Sequence, residues 1–376
     1  MSEEILPRRS VLYMPGANER ALEKAKGLDA DALILDLEDA VAPDAKAEAR
    51  DRVCAAATSG EYGAKEVTIR VNGLDTEWHA ADIAAAAAAG PAGVVVPKVN
   101  SVEDVHAIEK SLEAGGAPDT TKIWAMLETP VAILHAEQIA AASDRLAVLV
   151  MGTNDLAKEL HAVQIPGREP MLTALSIAVL AARAAGKVIL DGVYNDIKDP
   201  DGFHAECVQG RHMGFDGKTL IHPNQVDDAN TIWAPTEAAI VEARELIATF
   251  EAAIAEGKGV VTFNGRMIEN LHVANAQRIL AVADAIAARQ GLPGPCERLR
   301  RCATAGCRSR WSLPRSSGTT PSPTTSRRAP SPTASCRIST SISTSTSWCS
   351  ATATTSVTRS CAHRLPLAGQ AWHPST

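Results

Sequence analysis

Two carboxylates at the ends of apolar runs give this sequence its first chemical suggestion. Glu128 follows Lys122-Ile123-Trp124-Ala125-Met126-Leu127, and Asp155 follows Leu146-Ala147-Val148-Leu149-Val150-Met151 across Gly152-Thr153-Asn154. Between the runs, Val131, Leu134 and Ile139 recur at roughly helical spacing, so residues 122–155 read as a strand–helix–strand unit. Parallel neighbouring strands set their C-terminal ends side by side, which would bring Glu128 and Asp155 into one small site. Two hard oxygen donors with positions left for water and substrate suit Mg²⁺ better than zinc. Solvated loop acids or helix caps would look the same, and the pair alone does not decide between the readings.

The elements that must position these acids extend along most of the chain. Strand-like runs fall at 10–14, 32–35, 66–71, 93–96, 122–127, 146–151, 187–190 and 218–221, separated by helical segments such as 44–57, 170–185 and 200–213. Eight strand–helix repeats predict an α/β fold of the (β/α)₈ TIM-barrel type. A doubly wound open sheet is the main rival, but neither a G-x-G-x-x-G turn nor a Walker sequence is present. In a barrel, the strand C-termini collect Asp36, Glu38, Asp39, Arg70, Lys98, Glu128, Asp155, Asp191 and His222 around one mouth. Of the early acids, Asp39 is the expected helix cap. His222 reads as a packed strand-end residue, His204 and His212 as surface residues, and Cys207 as a small core residue.

Residues 1–233 would form the barrel and residues 234–293 a C-terminal helical lid extension. That extension has a helix over 236–256, a short 260–263 run and a final helix reaching Arg289. It needs somewhere to pack, and a lid over the mouth, from the same or a neighbouring subunit, is the natural expectation. Residues 294–376 differ abruptly. They hold 11 Arg, no Lys, one acid (Glu297), 31 Ser or Thr and six of the eight Cys. The segment carries about +10 of a chain whose net charge is −7, which leaves the body near −17. It has no amphipathic period and no paired cysteine spacing, so it reads as an unstructured tail, the kind of composition a shifted reading frame in GC-rich DNA would give.

The acidity of the body argues against nucleic acid as a partner. No run approaches the roughly 18 apolar residues of a membrane span. With Cys54 and Cys207 as the body's cysteines, a reducing, cytoplasmic setting is expected.

Five motifs in order then carry a resemblance. They are Arg9-Ser10-Val11-Leu12-Tyr13-Met14-Pro15-Gly16, Leu33-Ile34-Leu35-Asp36-Leu37-Glu38-Asp39-Ala40-Val41, Ile69-Arg70-Val71-Asn72-Gly73, Met126-Leu127-Glu128-Thr129-Pro130 and Gly217-Lys218-Thr219-Leu220-Ile221-His222-Pro223. From about Arg9 to Arg289 the chain resembles the citrate lyase β subunit and malyl-CoA or citramalyl-CoA lyases of the HpcH/HpaI aldolase group. The resemblance implies Mg²⁺ held by Glu128 and Asp155, with Arg70 on the substrate and the Asp36–Asp39 motif ordering metal-bound waters. It also implies a CoA thioester across the mouth. Tyr13, Arg20, Arg70 and Glu128 are then the substrate-binding set. Arg20, with Lys24 and Lys26, could meet the CoA phosphates, although a solvated helix face explains them equally well.

The implied reaction is reversible carbon–carbon cleavage of a 3-hydroxyacyl-CoA into acetyl- or propionyl-CoA and an oxo acid, in a homotrimer or hexamer. Arg70, Asp36 and Glu269 are the implied catalytic residues. Many relatives carry an aspartate where this chain has Glu269, supplied from the neighbouring subunit as acid/base. The extra methylene displaces the carboxylate by about 1.5 Å, so (3S)-malyl-CoA thioester hydrolysis is the alternative outcome. A citrate lyase β subunit acting on a carrier-protein thioester is another.

Overall fold

The structure is a computed structural model that describes residues 5–257, 260–292 and 294. The tail beyond residue 294 lies outside the described residues. Eight parallel strands close in sequence order into a barrel: β1 (Ser10–Pro15), β2 (Ala32–Asp36), β3 (Glu66–Arg70), β4 (Gly93–Val96), β5 (Lys122–Leu127), β6 (Leu146–Met151), β7 (Val188–Asp191) and β8 (Gly217–Leu220). Every expected strand is present, with its ends displaced by no more than about one residue, the usual uncertainty of strand ends. Around them run α1 (Glu19–Ala25), α2 (Lys46–Thr58), α3 (His79–Ala89), α4 (Val102–Ala114), α5 (Pro130–Leu134), α6 (Ala136–Ala141), α7 (Thr153–Glu159), α8 (Leu172–Ala184), α9 (Pro200–Met213) and α10 (Val226–Trp233).

The two-residue period of a strand sorts the core into two layers. Val11, Ala32, Ile34, Val95, Trp124, Met126, Val148, Val150 and Leu190 point inward and fill the barrel. Their alternates, such as Leu12, Leu33, Leu35, Ile69 and Val94, face outward and pack with helix residues such as Ala86 and Ile108. Continuing the inward row up each strand reaches Tyr13, Asp36, Arg70, Glu128 and Gly152, so the register that fills the barrel also aims the polar residues at its mouth.

Local signals set the helix ends. Ser101 and Asp104 form a reciprocal cap on α4, and Asp199 with Pro200 starts α9, which stops at Gly214 in a left-handed conformation. The segment after β5 differs from the sequence reading. It breaks at His135 into α5 and α6, leaving Val131 and Leu134 exposed while Ile139 is buried. Asp191 also departs from expectation. Leu190 takes the inward place, and Asp191 turns outward to α9, where it accepts from Arg168 (2.7 Å) and Lys218 (3.1 Å). Burial alone would raise its pKa, but Lys218 and Arg168 hold it below the usual range. Lys218→Met leaves a buried carboxylate short of one cation and is expected to cost about 3 kcal/mol in urea unfolding.

Beyond the barrel, α11 (Glu237–Ala255) and α12 (Asn270–Arg289) pack on one another through Ile240, Ala243, Ala276, Leu280 and Ala283, and the hairpin β9 (Val261–Phe263) and β10 (Arg266–Ile268) packs on α11 through Val261, Ile268 and Ala253. Two polar anchors join α12 to the barrel. Arg289 donates to the carbonyls of Asp31, Ala30 and Ala64, and Arg278 lies 3.8 Å from Asp216. All four partners precede strands, at the rim opposite the mouth. Of the two expected placements of the extension, over its own mouth or over a neighbouring subunit's, the first does not match α12, which is held at the far rim of its own barrel. No helix among the described residues is long and apolar enough to cross a membrane.

Candidate active site

At the mouth, β2 and β3 are paired so that Asp36 lies beside Arg70. Arg70 Nε and Nη2 donate to the two Asp36 oxygens at 2.6 and 2.7 Å, while Nη1 meets Glu38 at 2.7 Å. The guanidinium lies 4.8 Å from the centre of the Tyr13 ring, which covers one of its faces. Burial alone would lower the Arg70 pKa, but Asp36 more than offsets this and raises it further. Burial in turn pushes the Tyr13 hydroxyl well above its ordinary value. The fork of Arg70 is thus taken by Asp36, and Nη1, which meets Glu38 and lies 3.6 Å from exposed Asp39, is the edge left to meet a substrate.

Asp36 has a second task. Its oxygens accept from the backbone N–H groups of Glu38 (2.9 Å) and Ala40 (3.2 Å), closing the loop after β2. Asp39, the expected helix cap, is exposed, and α2 starts without a side-chain cap. The correction has a structural cause: a one-turn helix at Pro43–Ala45 leads straight into α2, and Asp39 lies instead 3.6 Å from Arg70 Nη1.

Glu128 is buried at the end of β5 and accepts from the backbone N–H of Lys98 at 2.8 Å. Lys98 takes φ = 53°, a left-handed conformation that costs a non-glycine residue energy, and the turn aims its N–H at the carboxylate. The other Glu128 oxygen lies against Gly152, where a β-carbon would collide with it, so a glycine at that place makes room for the acid. Burial raises the Glu128 pKa to about 8, with Glu38 and Asp155 adding to the rise. Glu38 is raised to about 7, chiefly by burial, despite Arg70. Asp155, half-buried in the first turn of α7, completes the group and with Glu128 draws the Lys98 ammonium pKa upward, against the effect of burial.

Five carboxylates (Asp36, Glu38, Asp39, Glu128, Asp155) thus share two cations (Arg70, Lys98). No cluster of three or more His, Cys, Asp or Glu suited to a metal occurs among the described residues. A buried, hard, over-anionic oxygen set with two protein donors fits a Mg²⁺ ion that keeps positions for water and substrate.

The remaining sequence candidates lie elsewhere. Arg20 and Lys24 are exposed on α1, and Lys26 pairs with Glu23 and Glu61. Glu269 is exposed at the start of α12, where its backbone N–H donates to His272 Nδ1 (3.0 Å) and its backbone carbonyl accepts the His272 N–H. His222 is half-buried, and its ring nitrogen accepts the Asn224 N–H in a one-turn cap. His204 is exposed and pairs with Asp228, while Cys207 is buried with its thiol pushed up to about 12, mainly by burial. Sequence reasoning missed Lys46, Asn72 and Asp82, which buttress the acidic loop from behind. Asn72 was legible as a turn former, but nothing in its spacing told of a buried partner.

Comparison with known proteins places this geometry. Residues 9–223 match the model of the HpcH/HpaI aldolase/citrate lyase family. The chain is 50% identical over 288 residues to a (3S)-malyl-CoA thioesterase of Cereibacter sphaeroides, covering 77% of this chain and 99% of the relative. It is 33% identical over 306 residues to an L-malyl-CoA/beta-methylmalyl-CoA lyase of the same species, covering 75% and 96%. Among solved structures it resembles the protein CitE of Mycobacterium tuberculosis in complex with magnesium, acetoacetate and coenzyme A, at TM-score 0.60 and 28% identity over 73% of this chain and 97% of that one. The fold and the relatives are those of a barrel enzyme of the carbon–carbon lyase type. The chain belongs to the HpcH/HpaI aldolase/citrate lyase family.

Proposed function

We propose that the protein is a Mg²⁺-dependent enzyme of (3S)-malyl-CoA-type thioesters, with thioester hydrolysis as its net reaction. The observation that carries this is the 50% identity, across nearly the whole relative, to a protein of that activity. Carbon–carbon cleavage to an acyl-CoA and an oxo acid is the second reading, favoured by the lyase relative and by an Arg70–carboxylate mouth suited to either outcome.

Glu128 and Asp155 would hold the ion. When bound, it polarises substrate oxygens and offsets the charge that develops on them. Arg70 presents Nη1 as a fixed cation to a carboxylate or thioester oxygen, and Tyr13 keeps water from its face. Glu38, next to that edge and raised to about 7, can take a proton near neutral pH and return it to the leaving group. In hydrolysis, water adds to the thioester carbonyl, the carbon–sulfur bond breaks and the proton reaches the departing thiolate. Glu269, exposed on an extension held at the far rim, would act on the mouth of a neighbouring copy in a homotrimer or hexamer.

Incubation with (3S)-malyl-CoA and Mg²⁺, with and without EDTA, tests the reading by following free thiol and glyoxylate together. Thiol and malate without glyoxylate are expected. Glyoxylate without thiol would replace hydrolysis by cleavage, and silence in both channels would overturn the substrate class.

A further inference from the structure

Lys46 opens α2 yet is only 5% exposed. Its Nζ donates at 2.7 Å to three acceptors: the consecutive carbonyls of Leu37 and Glu38, and Asn72 Oδ1. Three such bonds use every proton of an ammonium, so the side chain is charged and saturated. All three acceptors are neutral. Among the described residues the ammonium makes no carboxylate ion pair; burial lowers its pKa while Asp36, Asp82, Glu38 and Asp39 act from farther off to raise it, and the Trp78 ring lies 5.1 Å away. A solvated or salt-bridging lysine would not be built this way. Two successive carbonyls turned toward one cation fix the peptide planes of the loop that carries Glu38.

The clamp is itself fixed. Asn72 is 2% exposed, and its Nδ2 donates to Leu37 O (3.0 Å) and Asp82 Oδ2 (2.5 Å), so the amide has one orientation, with Oδ1 facing Lys46. Asp82 also accepts the Asn72 backbone N–H and is held by Arg50 at 2.7 Å. From the other side, the Leu37 N–H donates to Arg70 O at 2.9 Å. The loop is pinned between a strand that carries Arg70 and a helix start that carries Lys46.

We propose that Lys46 is a positioning residue that sets the Asp36–Asp39 loop, and through it Glu38, against Arg70. It touches no reacting atom and acts by holding the two carbonyls. Without it the Glu38 carboxylate loses its fixed distance to the Arg70 edge, and displacement of about 1 Å at such a site costs on the order of 100-fold in rate.

The activity arm of the test rests on the reading of the mouth given under Proposed function. In the full chain, Lys46→Met is expected to lower kcat about 10- to 100-fold with KM changed by less than roughly threefold. Lys46→Arg, which keeps the charge and donors, should recover part of that loss. In the double variant Lys46→Met/Glu38→Gln, the rate should fall no further than in Glu38→Gln alone, because both changes act at one point. Unchanged kcat in Lys46→Met, or losses that add in the double variant, would overturn the proposal. Amide exchange over residues 36–41 judges it without reference to substrate, including when the wild type turns over no malyl-CoA. Slow exchange in the wild type, at least about tenfold faster in Lys46→Met, or in Lys46→Gln should the first not fold, is expected from loss of the clamp. Equal exchange in wild type and variant would sink it.

Discussion

Glu128→Gln is expected to abolish the response to Mg²⁺ and, in the metal-free protein, to raise thermal stability above pH 8. The first effect follows from losing one of two protein donors to the ion, which should lower kcat by about three orders of magnitude. The second follows from proton linkage. A carboxyl whose pKa rises on folding favours the folded state below its unfolded pKa, and that contribution is lost as pH climbs through the folded value. Glu128 folds into a pocket that raises it to about 8, chiefly through burial, so the metal-free wild type should weaken between pH 5 and 9. Glutamine carries no such charge and should flatten that slope. Mg²⁺ should restore the wild type most strongly at the alkaline end, where no proton competes for Glu128. Melting curves at pH 6 and pH 9, with and without Mg²⁺, read all of this, and a variant with the wild-type slope would place the strain elsewhere.

Arg70→Lys is expected to lower kcat/KM by at least about 100-fold, and Arg70→Ala by about 1,000-fold. Arg70 has two functions that lysine cannot combine. Its Nε and Nη2 hold both oxygens of Asp36, while Nη1 remains at the mouth beside Glu38. A lysine ammonium placed at Asp36 would leave nothing at that edge. Removing the cation altogether also strands Asp36, which is 2% exposed, and breaking such a buried pair costs about 3–5 kcal/mol. Denaturant unfolding beside steady-state kinetics separates the two losses: the lysine variant should keep most of the stability and little of the rate.

The barrel was legible because strand and helix periods alternate along the chain, and because each apolar run was short and sharply ended. The mouth was legible for the same reason. Asp36, Arg70 and Glu128 stand at strand ends on the inward parity, two residues beyond Ile34, Thr68 and Met126. Parity was also the information left unused for Asp191, which follows inward Leu190 and must face out. The reading of Asp39 as the cap failed because a one-turn helix at Pro43–Ala45 runs directly into α2, while Asp39 turns toward Arg70. Lys46 escaped notice since a lysine at a helix start is ordinarily solvated, and only the fold shows two carbonyls waiting for it. The break at His135 was hidden by apolar residues that keep helical spacing while facing solvent. The extension kept its helices, and its two anchors, Arg278 and Arg289, find partners beneath β8 and β2 that no local pattern announces.

Those anchors bear on how catalytic output scales with the amount of protein. An extension fastened to the underside of its own barrel presents Glu269 outward, with its backbone joined to no group of its own mouth among the described bonds. If that carboxylate serves a neighbour, a lone copy is half an enzyme, and turnover obeys mass action between copies before it obeys any constant of the mouth. Doubling such a chain at low abundance would more than double its flux, and a modest fall in expression would silence it.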